Sequence, residues 1–529
     1  MRLSGMLATF GVVAGLGLTA LPAAAATQGG ASACTAMAGR TIAGVVISKA
    51  ALVPAAPPGS VQLGFSPADK NKVALPAYCR IDGEIDGRTG ADGKHFGLAV
   101  AIALPEGWNG SFLMMGGGGL NGNLAAPLGP VAAGDRPALS RGFAVISTDG
   151  GHRGGGFSDD FTHDQQAGLD FGFNAVPTVA SAGKQVVEAY YRRPIARSFF
   201  TGCSTGGREG MEAAERYPFL FDGIITGAPA MRTDRSNLAL KWAAVAFNRI
   251  SPMDPATGKL TPGGAFSPSD RQLIIGAFLK TCDELDGLKD GMVFDVRGCR
   301  FDPSVLRCAG AKAEGCLSGD QVEAIKTAFA GPVTPDGRRV YSAHPYDTGM
   351  AMPGPIPGFL LNSTAGPVGG GVLPTSMDLV ADEATENANA LQQLVDTYNW
   401  TNLSSFYGHG GKQIFYHGVS DPWFSALDTV DYYQRLAAAN GGPDRLSQSS
   451  RLFLVPGMGH CAGGPATLDQ FDLLTLLTDW VDTGKAPDAV VATGQDFPGR
   501  SRPLCPFPQH AQYRGAGDPD AESSFECRM

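Results

Sequence analysis

The chain is short of charge. Of its 529 residues only 17% are Asp, Glu, Lys or Arg, against 43% hydrophobic ones, a balance too apolar for a disordered polymer. Basic runs are missing too: Lys and Arg total 41 against 50 acidic residues, a net charge of -9, which argues against nucleic acid or an anionic membrane as partner. No apolar stretch reaches the ~20 residues of a membrane span, and the one at 6–21 stops short. No closely spaced cysteine pair is matched by a second such pair, which excludes the common zinc frameworks. No repeat with a period of about 20 to 50 residues recurs, so solenoids and propellers are out. Turn formers, by contrast, abound. With 73 Gly and 37 Pro the chain is too broken for a helical bundle, and its length allows a large core in more than one packed unit.

Arg2, the apolar run 6–21 and the small-residue pattern Ala24-x-Ala26 form a secretory signal peptide, with cleavage expected after Ala26. A membrane anchor is the rival reading, disfavoured by the short run and the cleavage pattern. No cysteine follows the run directly, so a lipid anchor is not indicated. The mature chain is expected to be secreted or periplasmic. All ten cysteines lie in it, an even count that reads as disulfides in an exported protein. Short loops favour Cys282 with Cys299, Cys308 with Cys316, and Cys505 with Cys527.

Apolar runs at 96–104, 111–115, 143–147, 198–202 and 223–226 alternate with glycine-rich turns and helical stretches, among them 178–191. This is the pattern of a parallel sheet covered by helices, an α/β fold. After Pro229 it dissolves into a cysteine- and Gly/Pro-rich tract. Runs at 413–416 and 451–455, followed by a helix at 468–483, resume it. The expected organisation is a signal peptide (1–26), a first α/β part (27–228), an inserted lid (229–404) and a second α/β part (405–529).

Gly202-Cys203-Ser204-Thr205-Gly206 fits G-x-S-x-G between the run 198–201 and the helical stretch 208–217, the setting of a nucleophile elbow. A tight turn capped by serine is the plainer alternative. A serine hydroxyl needs a histidine base and an acid to orient it. Asp421 and His460 each follow one of the two late runs, and the order Ser, Asp, His is that of α/β-hydrolases. His417 precedes the acid and is read as pocket lining or an ordinary turn residue. Donors for an oxyanion would be the amide of Thr205 and one from Gly116-Gly117-Gly118-Gly119, with Gly119 favoured over Gly118. No Lys-Ser or Lys-Thr follows these glycines, so a phosphate cradle is the weaker reading. Cys203 neighbours the serine and Cys461 the histidine, so if those two meet, a Cys203–Cys461 disulfide would clamp their loops.

Asp283-x-x-Asp286-Gly287-x-x-Asp290-Gly291 offers three carboxylates on a glycine-relieved loop, with the carbonyls of Leu288 and Met292 beside them. Hard oxygen donors in this density suit Ca2+, against the alternative of a polar turn. The loop lacks the terminal Glu of an EF-hand.

The stretch from Gly202 to Arg208, the segment Phe221-Asp222-Gly223-Ile224-Ile225-Thr226-Gly227-Ala228-Pro229 and the Cys-Ser and His-Cys pairs resemble the tannase/feruloyl esterase family over nearly the whole mature chain. The resemblance implies an α/β-hydrolase fold with a large inserted lid, hydrolysis of esters of aromatic acids, a structural calcium in the lid at Asp283, Asp286, Leu288, Asp290 and Met292, and a Cys34–Cys79 disulfide beside the four above. Asp421-Pro422-Trp423-Phe424-Ser425 resembles the mono(2-hydroxyethyl) terephthalate hydrolase subgroup, which implies that Phe424 packs on the substrate ring and that His417 lines the pocket. That subgroup binds the free substrate carboxylate with a lid arginine. Segment 354–366 here has none, and Arg338 and Arg339 are the nearest candidates. The expected protein is a monomeric serine carboxylesterase taking a small aromatic ester, with no nucleic acid and no membrane anchor. A serine peptidase with the same triad, or a non-catalytic module stiffened by calcium, are the rival readings.

Overall fold

The computed structural model describes residues 30–63, 69–367 and 371–529, so the expected leader and its cleavage site lie outside the described residues. Among them β1 (Thr41–Ile42), β2 (Val45–Val53), β3 (Tyr78–Thr89), β4 (His95–Pro105), β5 (Ser111–Met115), β6 (Ala144–Thr148), β7 (Arg197–Cys203), β8 (Gly223–Gly227), β9 (Lys412–Gly418) and β10 (Ser450–Val455) build one sheet. Its order is β1-β2-β3-β4-β6-β5-β7-β8-β9-β10. From β6 to β10 neighbours run parallel, whereas β1 to β4, and β4 on β6, are antiparallel. The run at 96–104 therefore does not belong to the parallel half as its spacing suggested. It is the second arm of a hairpin with β3, and a short turn can join antiparallel strands only.

Alternate residues of each central strand face opposite sides. Phe112, Met114, Ile146, Phe200 and Ile224 join one buried cluster, while Leu113, Val145, Phe199, Ile225 and Phe453 join the other. Both faces are covered, which is why these strands read as continuous apolar runs. The helix Ala175–Tyr191 lays Val176, Val179, Val186 and Val187 on the first face. The helix Leu473–Thr483 lays Leu474, Leu477 and Trp480 on the second. It starts later than the apolar pattern from 468 suggested because the Asp472 side chain accepts from the Thr475 amide and caps it there.

The lid leaves the sheet after β8 and returns at β9, its immediate neighbour, with Gly227 opposite Tyr416. Its helices Thr233–Asn248, Pro268–Cys282 and Gly319–Ala330 enclose a core of their own, including Phe247, Phe266, Phe278, Phe329 and Phe359. Ser267 and Ser318 open the second and third helices with reciprocal capping boxes. Five disulfides tie the described chain: Cys34–Cys79, Cys203–Cys461, Cys282–Cys299, Cys308–Cys316 and Cys505–Cys527.

Phe278 is buried edge-on against Phe301, 6.0 Å between centroids. Phe278→Ala is expected to destabilise the protein by about 3–5 kcal/mol, seen as a lower melting temperature by calorimetry. A change under about 0.5 kcal/mol would mean that the lid core is not packed around this ring.

Candidate active site

The turn after β7 is forced by close packing. A Cβ on Gly202 would lie 2.5 Å from the Gly206 carbonyl carbon, and one on Gly207 would lie 2.2 Å from the Gly227 oxygen. With those side chains absent, the helix Thr205–Arg216 starts directly behind the strand. Ser204 holds φ 64° and ψ -123°, a conformation rarely adopted by residues with a side chain. Its amide donates to the Gly227 carbonyl at 3.0 Å and its carbonyl accepts from Ala230 at 3.1 Å, so both sides of the turn are fastened to β8 and the segment beyond it.

The glycine loop after β5 packs against this turn. Gly206 donates to the Gly117 carbonyl at 3.0 Å, and the Thr205 hydroxyl donates to the Gly119 carbonyl. The amides of Gly116 and Gly117 are already used, by Thr201 O at 2.9 Å and Glu209 Oε2 at 2.8 Å. Among the described residues the amides of Gly118, Gly119 and Thr205 donate to no protein group. Gly119 has φ +57°, and a Cβ there would lie 2.0 Å from the Gly156 oxygen. Glu209 was not singled out from the sequence. It also accepts from Asn121 Nδ2 at 3.0 Å, and only the fold reveals that this helix residue faces the loop.

Asp421 and His460 come together as their chain order suggested. His460 Nδ1–H donates to Asp421 Oδ2 at 2.7 Å, and His460 Nε2 is buried with no hydrogen-bond partner among the described residues. Asp421 Oδ1 accepts from the amides of Trp423 and Phe424 at 2.9 and 3.0 Å. Burial pushes the Asp421 carboxyl up, but the charge of His460 and hydrogen bonds from His417 and His460 outweigh it and hold it well below the usual carboxylate range. Its contribution to stability is thus complete above the unfolded value of about 3.9 and is lost only as pH falls through the lower folded one. The Cys203–Cys461 disulfide joins the residue before Ser204 to the residue after His460.

His417 lies beneath the site instead of on its wall. It is fully buried, its Nε2 donates to the Phe424 carbonyl at 3.0 Å, and its Nδ1 meets the Thr429 hydroxyl at 2.8 Å. Position 417 is the next-to-last residue of β9, where both faces of the sheet are covered, and this removes it from the surface. The Phe424 ring lies 5.3 Å from the His460 ring. Two aromatics not anticipated as site residues stand with it: Trp423, 4.8 Å from His460, and Phe157, edge-on to Trp423 at 5.9 Å. Phe157 ends a glycine-rich turn after β6, at the carboxyl end of a parallel strand, where α/β folds bind ligands. Arg338 is paired with Glu383, and Arg339 donates to the Ala330 carbonyl.

The family described as tannase and feruloyl esterase matches residues 79–366 and 373–528. The chain belongs to the tannase and feruloyl esterase family. Mono(2-hydroxyethyl) terephthalate hydrolase of Piscinibacter sakaiensis is 39% identical over 527 residues, covering 87% of this chain and 86% of that protein. A probable feruloyl esterase of Arthroderma benhamiae is 29% identical, covering 81% and 82%. Feruloyl esterase B from Aspergillus oryzae matches in structure with a TM-score of 0.74 at 25% identity, over 94% of this chain and 100% of that one. Membership makes the protein a carboxylic ester hydrolase, and its fold is that of the α/β-hydrolases.

The acidic loop that the family resemblance singles out lies in the lid. Asp283 Oδ1 accepts from the amides of Asp290 and Gly291 at 3.2 and 3.0 Å, and Asp286 from those of Leu288 and Phe294 at 3.2 and 2.9 Å. Burial, with added repulsion from Asp290 and Asp283, pushes the Asp286 carboxyl up to about 7. Asp290 is turned to Arg502 at 2.5 Å and Arg500 at 3.4 Å. As these side chains stand, no group of three His, Cys, Asp or Glu among the described residues converges on a metal position.

Alanine is ordinarily favoured over glycine inside a helix by about 1 kcal/mol, so Gly207→Ala tests the packing of the elbow by its sign. The backbone overlap should instead destabilise by about 1–3 kcal/mol in thermal melts. A stabilised variant would mean that the helix does not approach β8 this closely.

Proposed function

We propose that the protein is a secreted serine esterase that hydrolyses esters of aromatic acids, of the feruloyl, galloyl or mono(2-hydroxyethyl) terephthalate kind, through an acyl-enzyme. The observation that carries the reading is the buried, unpartnered Nε2 of His460, on a ring held by Asp421 and covalently tethered beside the strained Ser204. In this reading Nε2 takes the Ser204 proton as Oγ attacks the ester carbonyl carbon. The amides of Thr205 and Gly119 receive the oxyanion, free as they are of other acceptors. His460 then passes the proton to the departing alkoxide. A water deprotonated by the same nitrogen attacks the acyl carbon, releasing the acid and restoring Ser204. Asp421 remains a carboxylate throughout and stabilises the imidazolium. Trp423, Phe424 and Phe157 supply flat apolar walls suited to an aromatic acyl group.

A release assay on methyl ferulate, methyl gallate and mono(2-hydroxyethyl) terephthalate tests this directly. Turnover of one or more esters is expected in the wild type and a loss of about 10³-fold or more in Ser204→Ala. Equal turnover by the variant would refute the nucleophile. Cleavage of the matched amides at a comparable rate would make the protein a peptidase.

We propose further that the lid loop binds Ca2+ through Asp283, Asp286 and the carbonyls of Leu288 and Met292, with Asp290 turning from its arginines to join them. Burial of the Asp283 and Asp286 carboxyls, with a smaller repulsion from Asp290, supports this, since a cation offsets the cost of their buried charge. A chelator should lower the melting temperature by several degrees, in proportion to about 2–4 kcal/mol of linked binding, and added Ca2+ should restore it. A melting temperature unchanged by chelator, with no calcium in elemental analysis, would overturn the site.

A further inference from the structure

Lid residues 341–352 run beside both loops that carry the acid and the base. Tyr341 Oη accepts from the Ser425 amide at 3.2 Å, and Ser425 Oγ donates to the Ala343 carbonyl at 2.5 Å. Deeper in, Asp347 is 1% exposed. One of its oxygens, Oδ2, accepts from the Ser420 hydroxyl at 2.7 Å and from the Gly457 amide at 2.7 Å. Ser420 immediately precedes Asp421, and Gly457 opens the turn that ends at His460. The Ser420 oxygen accepts in turn from the lid amide of Gly349 at 2.9 Å, closing the link back onto the lid. There is no slack: a Cβ on Gly349 would lie 2.6 Å from Ser420 Oγ and 2.9 Å from the Gly457 oxygen.

We infer that Asp347 is a positioning residue for hydrolysis, a lid-borne acceptor that sets the spacing of the Asp421 and His460 loops through a single oxygen. The inference rests on the proposed triad. Two donors from separate loops converge on one atom, so displacing it moves acid and base relative to each other. The arrangement is costly, because the other carboxylate oxygen has no hydrogen-bond partner among the described residues, and a buried unpaired polar atom opposes folding. A carboxylate in place of a neutral acceptor makes both bonds stronger. The consequence is that the lid is part of the catalytic alignment as well as of the pocket.

The test compares Asp347→Ala and Asp347→Asn with wild type and Ser204→Ala on whichever panel ester is turned over. Misplacing the base by a fraction of an ångström should lower kcat of Asp347→Ala by about 10- to 100-fold, with KM within about twofold. Asp347→Asn keeps one oxygen for both donors and should recover kcat to within about fivefold of wild type. Unchanged kcat in Asp347→Ala, a loss confined to KM, or an asparagine variant no better than alanine would each overturn the positioning role. Should Asp347→Ala not fold, Ser420→Ala removes one of the two donors, and kcat should fall by about 3- to 10-fold; unchanged kcat there would also overturn it. A wild type without turnover, or an active Ser204→Ala, would instead mean that the triad itself is wrong.

Discussion

The bond between Cys203 and Cys461 is the constraint on which the site depends. It closes a loop of 258 residues that includes the entire lid. In the chain-entropy picture such a closure removes about 5 kcal/mol of freedom from the unfolded ensemble, but its placement matters more than its size. Hydrogen bonds fasten the Ser204 turn to β8 and the Asp421 loop to the turn after β10. Among the described residues only this covalent link joins the turn after β7 to the turn after β10 directly, across β8 and β9. A serine held in a disfavoured backbone conformation and a histidine with a bare buried nitrogen both cost stability. A rigid connection between them keeps the two from relaxing apart.

The same economy of space governs the surrounding glycines. At 202 and 207 a single added carbon would collide with backbone, not with a side chain that could swing away. The elbow, the glycine loop after β5 and the first residues after β8 are therefore one interlocked unit. Glu209 fastens it from below, and its use of the Gly117 amide is part of what leaves the next two amides without a protein acceptor.

Much of this was legible in the sequence, and for a physical reason. Strands buried on both faces must be continuously apolar, so β5 to β10 announced themselves, and a turn that tolerates no side chain must be written in glycine. The N-terminal strands did not. β3 carries Arg80, Asp82, Glu84, Asp86 and Arg88 in a half-exposed hairpin arm, a composition that resembles a loop. The direction of β4 was hidden because an apolar run carries no polarity of pairing. Asp421 and His460 could be found because each closes a strand, whereas His417 sits inside one and its burial depends on what packs above it. Asp347 and Phe157 act through contacts made across long sequence separations, and nothing in their immediate neighbours marks them.

The lid departs and returns on adjacent strands whose backbones touch: the Ala228 amide donates to the Tyr416 carbonyl at 2.8 Å. The two strands run parallel, however, so the lid leaves at the carboxyl end of β8 and enters at Lys412, opposite Gly223, and its two ends lie about a strand length apart. Such a junction accepts any segment that spans this distance, which can be spliced in without disturbing the register of the sheet. Pocket shape can then diversify by exchange of whole lids while the machinery beneath is inherited intact. The exchange carries one condition, that each incoming lid bring its own acceptor for Ser420 and Gly457.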